Sequence, residues 1–356
     1  MKTLLRLLLK SQHQQNRSEP AQTEKGMTLV ELLVGSIMAF LIITPMLAFV
    51  VDMLNTDRRE QVKSNTEQDL QAAVDFISQD LSQAIYIYDN NPTTGIPFIK
   101  SSLPTPSPEI GTPILVFWKR MQMKNAVSVD TVTKTTPKQC DPKDLTKLCN
   151  DTYVRSLIAY YQIKDDRPGI WCQPQGSKCP TRIVRYEIHE GIVKDSSKDD
   201  ASRYYSGAEV NQGQEVSKGF NPKFDFTKPE QNVTLGSDFP PSDVLVNYID
   251  HNPVDTKTVI DPEECKKALG NPTATLPGAT TPTQVSEDTL KVTDLAAAKT
   301  NSFYACVDTA KNIARVTIRG NSLRRLQDSN VASSTENSAF FPTASVQVQG
   351  LGARGK

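Results

Sequence analysis

Twenty consecutive residues near the N-terminus, 32–51, carry no charge and are almost all apolar. An α-helix of about 20 apolar residues is long enough to cross the hydrocarbon core of a bilayer. Glu31 stands directly before this run. A carboxylate in the membrane costs roughly 3 kcal/mol on insertion scales, so it normally needs a partner. The sequence therefore predicts a membrane helix with an acidic residue at its N-terminal end.

Two other kinds of apolar segment must be compared with a membrane helix that follows a cleaved leader. Most runs of this length are plain membrane anchors. A secretory signal peptide has a shorter apolar core and a small-residue cleavage site after that core. Here the small residue, Gly26, precedes the core. Cleavage after Gly26 would leave the helix on the mature protein and free an α-amine four residues from Glu31.

The charges on the two sides of the apolar run differ. Before Gly26, five basic residues face two acidic ones, whereas acids and bases nearly balance just after the run. The basic residues are Lys2, Arg6, Lys10, Arg17 and Lys25, and the acids are Glu19 and Glu24. This asymmetry predicts a cytoplasmic N-terminus and an extracytoplasmic bulk.

The segment resembles the class III leader of type IV pilin-like proteins. The matching residues are Gly26, Met27, Thr28, Leu29, Val30 and Glu31, continued by Leu32, Leu33 and Val34. The motif covers about the first sixty residues. One departure from the family pattern is the proline that often kinks this helix, because Pro45 lies a few residues earlier than is usual.

The resemblance implies a route of processing and assembly. A prepilin peptidase of the inner membrane would cut after Gly26 and N-methylate Met27. A cytoplasmic ATPase and its membrane platform would then lift the subunit from the lipid into a filament of other pilins or pseudopilins. Within it the Glu31 carboxylate would pair with an α-amine, of its own chain or of a neighbour. Glu31 is thus expected to act in assembly.

Beyond the apolar run the helix is expected to continue to about Tyr88. Apolar residues recur at helical spacing in one stripe, and a polar face lies between them. The stripe is Leu70, Val74, Ile77, Leu81 and Ile85, and the polar face is Gln68, Asp69, Gln71, Asp75, Gln79 and Asp80. The turn-forming residues Asn90-Asn91-Pro92 and Gly95 are expected to end the helix.

The rest of the chain has the pattern of an α+β protein, in which the long helix packs on an antiparallel sheet with long loops. Strands are predicted at Ile114–Trp118, Tyr153–Ile163, Arg182–His189, Val244–Ile249, Ser302–Val307, Ala314–Ile318 and Ser345–Val348. Alternation of polar and apolar residues in several of them predicts one solvated face. Long loops are expected at 194–243 and 261–290. The predicted divisions are a leader (1–26), a membrane and assembly helix (27–54), an amphipathic helix (55–90) and an extracytoplasmic β-rich region (91–356).

Six cysteines lie beyond the membrane run: Cys140, Cys149, Cys172, Cys179, Cys265 and Cys306. Their spacing does not match zinc sites. An even number on the oxidising side of a membrane indicates disulfides. Six cysteines allow 15 pairings. Local loop closure favours 140–149 and 172–179, which leaves 265–306, and free structural thiols are the alternative.

The overall pattern resembles the larger minor pseudopilins and minor pilins. Two short motifs, Arg319-Gly320-Asn321-Ser322-Leu323 and Phe340-Phe341-Pro342-Thr343, are similar to the pseudopilin of hormogonium polysaccharide secretion in filamentous cyanobacteria. This likeness implies a role in exopolysaccharide secretion and gliding, with secreted polysaccharide as a partner. The alternative is a minor type IV pilin that acts at the tip in pilus assembly, adhesion or DNA uptake.

Catalytic and metal-binding patterns are sparse, so we expect a structural subunit without a cofactor or metal and not an enzyme. His13, His189 and His251 are the only histidines, and no serine has a nucleophile-elbow motif. The acidic pairs 165–166, 199–200 and 263–264 lack the alternating acids of a calcium loop. Zero net charge and the single pair Arg324-Arg325 do not favour nucleic acid as a partner.

The leader hypothesis makes a direct prediction about Gly26. We expect Gly26→Leu to leave an unprocessed precursor, because a larger side chain would obstruct the peptidase. Mass measurement of the membrane-extracted chain tests this. If the Gly26→Leu chain still lost its first 26 residues, the leader hypothesis would be wrong.

Overall fold

The computed structural model describes residues 28–104, 110–129, 135–164, 169–175, 179–225, 228, 232–235, 239–250, 261–275, 280–293, 302–327 and 331–352. The backbone divides into two compact units, Met1–Asp57 and Arg58–Lys356. We call the second unit the head.

The secondary structure is one long helix followed by strands and short helices. In chain order the elements are α1 (Leu29–Ser82), β1 (Ala84–Ile87), α2 (Ile96–Ile99), β2 (Ile110–Ser128), β3 (Cys149–Lys164), β4 (Thr181–His189), β5 (Asp243–Ile249), α3 (Glu264–Ala268), β6 (Thr273–Ala274), β7 (Thr283–Gln284), α4 (Glu287–Leu290), β8 (Lys291–Thr293), β9 (Phe303–Asp308), β10 (Ile313–Arg319) and β11 (Thr343–Gln349). The α+β class is confirmed. All seven predicted strands are present; six are longer than predicted, and β9 has the predicted length but is shifted by one residue.

The strands form two main antiparallel sheets where the sequence analysis expected one. The first has the order β1-β2-β3-β4-β5 and the second has the order β11-β10-β9-β8. A small third sheet pairs β6 with β7. The two main sheets meet where Ile249 bridges to Gly320. Beside this bridge the buried carboxylate of Asp250 binds Arg319, with 2.8 Å between Oδ2 and Nη2.

The second half of α1 packs its apolar stripe into the head. Leu70, Val74, Ile77 and Leu81 are each at most 3 % exposed, so the predicted stripe is confirmed for these positions. The helix also lies close to the second sheet at Gly320. A Cβ atom at this position would lie 2.8 Å from Cγ2 of Thr66. A side chain at position 320 would therefore collide with the side chains of Thr66 and Leu70, so only glycine fits there without a shift of these side chains.

The predicted end of the helix is wrong. It ends at Ser82, and residues 84–87, including Ile85, form β1 against β2. The sequence Ala-Ile-Tyr-Ile is rich in β-branched and aromatic side chains, which favour a strand when a pairing edge is at hand. The residues 90–95 that were expected to stop the helix form a later turn, in which the Gly95 N–H donates to the Asn91 carbonyl.

The prediction of one solvated strand face is also wrong for β4. Arg182 is 2 % exposed and Arg185 is 9 % exposed, although they lie on opposite faces of the strand. One face of the first sheet meets α1. The other face is covered by the segment 191–235, where Phe224 stacks on Trp118 with 4.9 Å between ring centroids. This long loop therefore covers the outer face of the first sheet. As predicted, its described part contains no regular strand.

The segment 261–290 covers the outer face of the second sheet in a similar way. It was expected to be a long loop, but it contains the short helices α3 and α4 and the β6–β7 pair. Leu269 and Leu290 pack with Tyr304 and with the disulfide between Cys265 and Cys306. Each sheet thus lies between helix α1 and an inserted segment.

Candidate functional site

The N-terminal end of α1 is the first candidate site. The hydroxyl and carbonyl oxygens of Thr28 accept the Glu31 N–H, at 3.3 Å and 3.0 Å. The carbonyl also accepts the Leu32 N–H. Thr28 therefore satisfies donors that the first turn of a helix leaves unpaired. Glu31 lies in that first turn, where the helix dipole favours a negative charge.

The surface of this part of α1 is apolar on all sides. Its large side chains are exposed, by between 49 % at Val34 and 84 % at Leu29. The helix is long and apolar enough to span a membrane. A helix that is apolar all round is stable only inside a core or in lipid. The Glu31 carboxylate forms no ion pair with the described residues. Gly26 and Met27 lie outside the described residues, so their assignment as cleavage and methylation sites remains a prediction.

The six cysteines form three disulfides, Cys140–Cys149, Cys172–Cys179 and Cys265–Cys306. The first two are the pairs that local loop closure favoured, and the third is the pair that elimination left. The first two close short hairpin-like loops, and the third ties α3 to β9. Disulfides of this kind persist in oxidising compartments.

The second candidate site is a buried charge cluster at the end of α1, which was not predicted from the sequence. It consists of Asp80, Lys119, Arg185 and Glu187, with the hydroxyl groups of Tyr160 and Ser156. Asp80 had been assigned to the polar face of the helix, but it is only 7 % exposed. The available signal was its position three residues after Ile77, which places it beside the apolar stripe.

Asp80 is the centre of this cluster. Its Oδ1 accepts a hydrogen bond from Lys119 Nζ at 2.8 Å. Its Oδ2 accepts one from Arg185 Nε at 2.8 Å and one from the Tyr160 hydroxyl at 2.7 Å. The three partners come from β2, β3 and β4, so a single helical carboxylate joins α1 to three neighbouring strands.

Glu187 completes the charge balance of the cluster. It binds Arg185 Nη2 at 2.7 Å and accepts a hydrogen bond from Ser156 Oγ at 2.6 Å. Lys119 Nζ lies 3.7 Å from Oε1, the oxygen that also accepts the Ser156 hydrogen bond. Two carboxylates therefore face two cations. This balance satisfies the condition under which buried charges are tolerated.

Burial and hydrogen bonding act in opposite directions on the two carboxylates. Burial alone would raise the pKa of Asp80. The hydrogen bonds from Arg185, Lys119 and Tyr160 outweigh burial, so the pKa is lowered. For Glu187 burial is likewise outweighed, by the Ser156 hydrogen bond and the charge of Arg185, and the pKa is lowered. Both side chains are therefore held ionised in the folded head.

The residues considered for catalysis or metal binding are placed as follows. His189 lies at the end of β4, where its Nδ1 is 3.1 Å from the Glu190 carbonyl. Asp200 caps a turn through the Ser202 N–H, and Glu264 binds Lys291 and Tyr304. His13, His251 and the pair 165–166 lie outside the described residues. Within the part of the chain that the structure describes, no three His, Cys, Asp or Glu side chains are grouped to hold a metal ion.

The two adjacent arginines do not form an exposed basic patch. Arg324 is 1 % exposed, and its guanidinium donates to the carbonyls of Pro174 and Gln327. Arg325 binds Asp69 and lies over the Tyr248 ring, 4.6 Å from its centroid. Both side chains therefore tie segments of the head together.

An open cavity of about 840 Å³ lies among the loop residues 194–216. Its wall contains Tyr204, Tyr205 and an ion pair of 2.7 Å between Lys194 and Glu209. The Glu209 carboxylate also accepts hydrogen bonds from Ser206. The charges of Lys194 and Glu209 are thus neutralised within the loop itself.

The cluster geometry predicts a large effect of removing Asp80. We expect Asp80→Ala to destabilise the head by about 3 to 5 kcal/mol, because it leaves Lys119 and Arg185 buried with one carboxylate between them. Urea unfolding of the full-length chain in micelles, followed by the fluorescence of Trp118 and Trp171, measures this. Asp75→Ala is the matched control on the exposed face of the same helix, with an expected change within about 0.5 kcal/mol. Equal effects of the two substitutions would contradict the central role of Asp80.

The wild-type protein and the Asp80→Ala variant also test how the free energy of unfolding depends on pH. A carboxylate with a lowered pKa stabilises the fold above its ordinary pKa, and this stabilisation is lost as the pH falls through the folded-state value. The ordinary values are 3.8 for Asp80 and 4.5 for Glu187. The free energy of unfolding should therefore fall more steeply below about pH 3.8 in wild type than in Asp80→Ala, because Glu187 is common to both proteins. Burial raises the pKa of Glu190, which acts with the opposite sign and is common to both proteins.

Comparison of the chain with protein-family models, with curated proteins and with solved structures found no match.

Proposed function

We propose that this chain is a minor pseudopilin, a structural subunit of a machine related to type IV pili and type II secretion. The observation that carries the proposal is the apolar, exposed first half of α1, which has the acid Glu31 in its first turn. The leader-like residues that precede it in the sequence support the same reading. The three disulfides favour a head on the oxidising side of the membrane.

The proposed role of Glu31 follows from its electrostatics. The carboxylate is costly in lipid unless it finds a cation. After cleavage behind Gly26, the α-amine of Met27 would supply that cation, from the same chain or from a neighbour in the filament. Such a pair sets the register between helices more than it adds stability, because desolvation offsets much of the Coulomb attraction.

The proposed location is the inner membrane, crossed once, with the N-terminus in the cytoplasm and the head in the periplasm. The partners would be a prepilin peptidase, the assembly platform with its ATPase, and other pseudopilins. The finer proposal is a role in exopolysaccharide secretion and gliding, which rests on the two short motifs near the C-terminus. The alternative is a general minor pilin, and deletion of the gene distinguishes the two roles.

Deletion of the gene in the source organism, with soluble exopolysaccharide and surface pili scored in the same cultures, tests the function. Loss of polysaccharide with pili retained supports a dedicated secretion pseudopilin. Loss of pili, with polysaccharide falling only secondarily, supports the minor pilin. If both stay at wild-type level, neither function holds.

Glu31→Ala tests the assembly role directly. We expect the variant to remain in the membrane but to enter filaments about tenfold less, which corresponds to about 1.4 kcal/mol of lost pairing. Immunoblots of sheared filaments and of membranes give the ratio. Glu60→Ala, an exposed acid further along the same helix, is the matched control and should assemble normally. Entry of the Glu31→Ala chain into filaments at the wild-type level would contradict the assembly role of Glu31.

A further inference from the structure

β11 is the edge strand of the second sheet, and its pairing is unusually regular. All seven residues pair with β10 in one continuous register without a bulge. The strand reads Thr-Ala-Ser-Val-Gln-Val-Gln, with no charge, proline or glycine. Edge strands of this kind present unpaired backbone groups to any chain that can add to the sheet.

The hydrogen bonds at the two ends of the strand identify which groups point outward. The Gly320 N–H donates to the Pro342 carbonyl at 2.9 Å, and the Gly350 N–H donates to the Asn312 carbonyl at 2.8 Å. Both pairs continue the β10–β11 register. Because bonded and non-bonded pairs alternate in antiparallel strands, the even-numbered residues bond β10. The N–H and C=O groups of Thr343, Ser345 and Gln347 therefore point away from the sheet.

These three outward residues are exposed. Their backbone groups have no partner among the residues that the structure describes. Gln349, the fourth odd-numbered residue, already uses its side chain to donate to the Lys311 carbonyl. The open part of the edge therefore spans residues 343–347.

The other sheet edges are protected, which makes β11 the exception among the described strands. At β1, the carbonyl of Ala84 accepts hydrogen bonds from Gly352 and Asn312. β8 is only three residues long. β5 pairs irregularly with β4, and its Tyr248 has φ of 60°. Short, bulged or covered edges are the usual means of preventing strand addition.

We propose that the outer edge of β11 receives an extended strand of a partner protein, which adds to the second sheet by backbone hydrogen bonding. The side chains of the edge define the chemistry of this partner. They carry no charge, so nothing repels or selects a charged strand. Val346 and Val348 are half-buried against the core. An incoming strand with apolar residues at alternate positions would extend this row, while its polar residues would face Thr343 and Ser345.

A second copy of this chain is the less suitable occupant. Near the start of β11, Thr66 and Leu70 of α1 approach Gly320, and just after its end the Ser82 carbonyl accepts the Leu351 N–H at 3.0 Å. This part of α1 therefore runs alongside β11 in the same direction. Two β11 strands can pair symmetrically only in antiparallel orientation, about a two-fold axis. That arrangement reverses α1 in the second copy, which two chains assembled from one membrane cannot accommodate. This step alone rests on the proposed function.

Proline at position 345 provides a specific test. Ser345→Pro removes an outward N–H and blocks the edge, yet it leaves the β10 bonds in place, since proline is tolerated on the solvent side of edge strands. Ser345→Ala keeps the N–H and is the matched control. Gln347→Lys, which places a charge on the edge, is a second blocking variant if the proline chain folds poorly.

The experiment uses the full-length chain in its native membranes, with a photo-crosslinking amino acid at Thr343. We expect an adduct with another protein that falls about tenfold or more in Ser345→Pro and Gln347→Lys, but not in Ser345→Ala, because only the first two oppose backbone pairing. In the isolated adduct, the amides of Ser345 and Gln347 should exchange hydrogen more slowly than in the free chain in micelles.

Three results would overturn the proposal: no adduct, an adduct unaffected by Ser345→Pro, or one of twice the mass of the chain. Unchanged exchange at Ser345 and Gln347 would overturn it as well. The Glu31→Ala chain separates the two proposals. If that chain enters filaments normally while the edge adduct persists, the proposed function fails and the strand-addition site stands.

Discussion

The attachment of α1 to the head depends on the ionised carboxylate of Asp80. It lies at the end of the packed half of the helix and accepts hydrogen bonds from Lys119, Tyr160 and Arg185, which belong to three neighbouring strands. Apolar burial along Leu70, Val74 and Ile77 brings the helix to the sheets but is not directional. A carboxylate that must meet two cations at hydrogen-bond distance is directional, and we infer that it fixes how far the helix slides and turns on the sheet.

The inserted segments explain why both sheets tolerate apolar residues on two faces. Antiparallel sheets commonly keep one face in water. Here Phe224 and Tyr204 cover the first sheet from the segment 191–235. Leu269 and Leu290 cover the second, where the Cys265–Cys306 disulfide fixes the insert. Because each insert lies at the surface, the polar groups of its backbone are satisfied by turns and caps, as at Asp200 and Ser286.

The features that sequence reasoning predicted correctly were those set by local pattern. The apolar stripe from Leu70 to Leu81 and the seven strands follow from periodicity. The Cys140–Cys149 and Cys172–Cys179 disulfides follow from short spacing, and the Cys265–Cys306 disulfide was then left by elimination. The misplaced features depended on contacts distant in the sequence. Residues 84–87 form a strand because β2 offers an edge, and Arg182 is buried because a remote loop covers it. Asp80 had a local signal, its spacing from Ile77, but its partners lie 39 to 105 residues away.

Asp80 and Glu31 present the same electrostatic problem on one helix. An ionised carboxylate removed from water is stable only if cations and donors replace its hydration. For Asp80 the head supplies Lys119, Arg185 and Tyr160, and the pKa remains low despite burial. For Glu31 the described part of the chain supplies no cation, and the surface around it is apolar. If that surface enters lipid, the partner of Glu31 must come from a newly formed chain terminus or from another molecule. The contrast between the two acids therefore supports the proposal that the first half of α1 assembles with other chains, whereas the second half packs into the head.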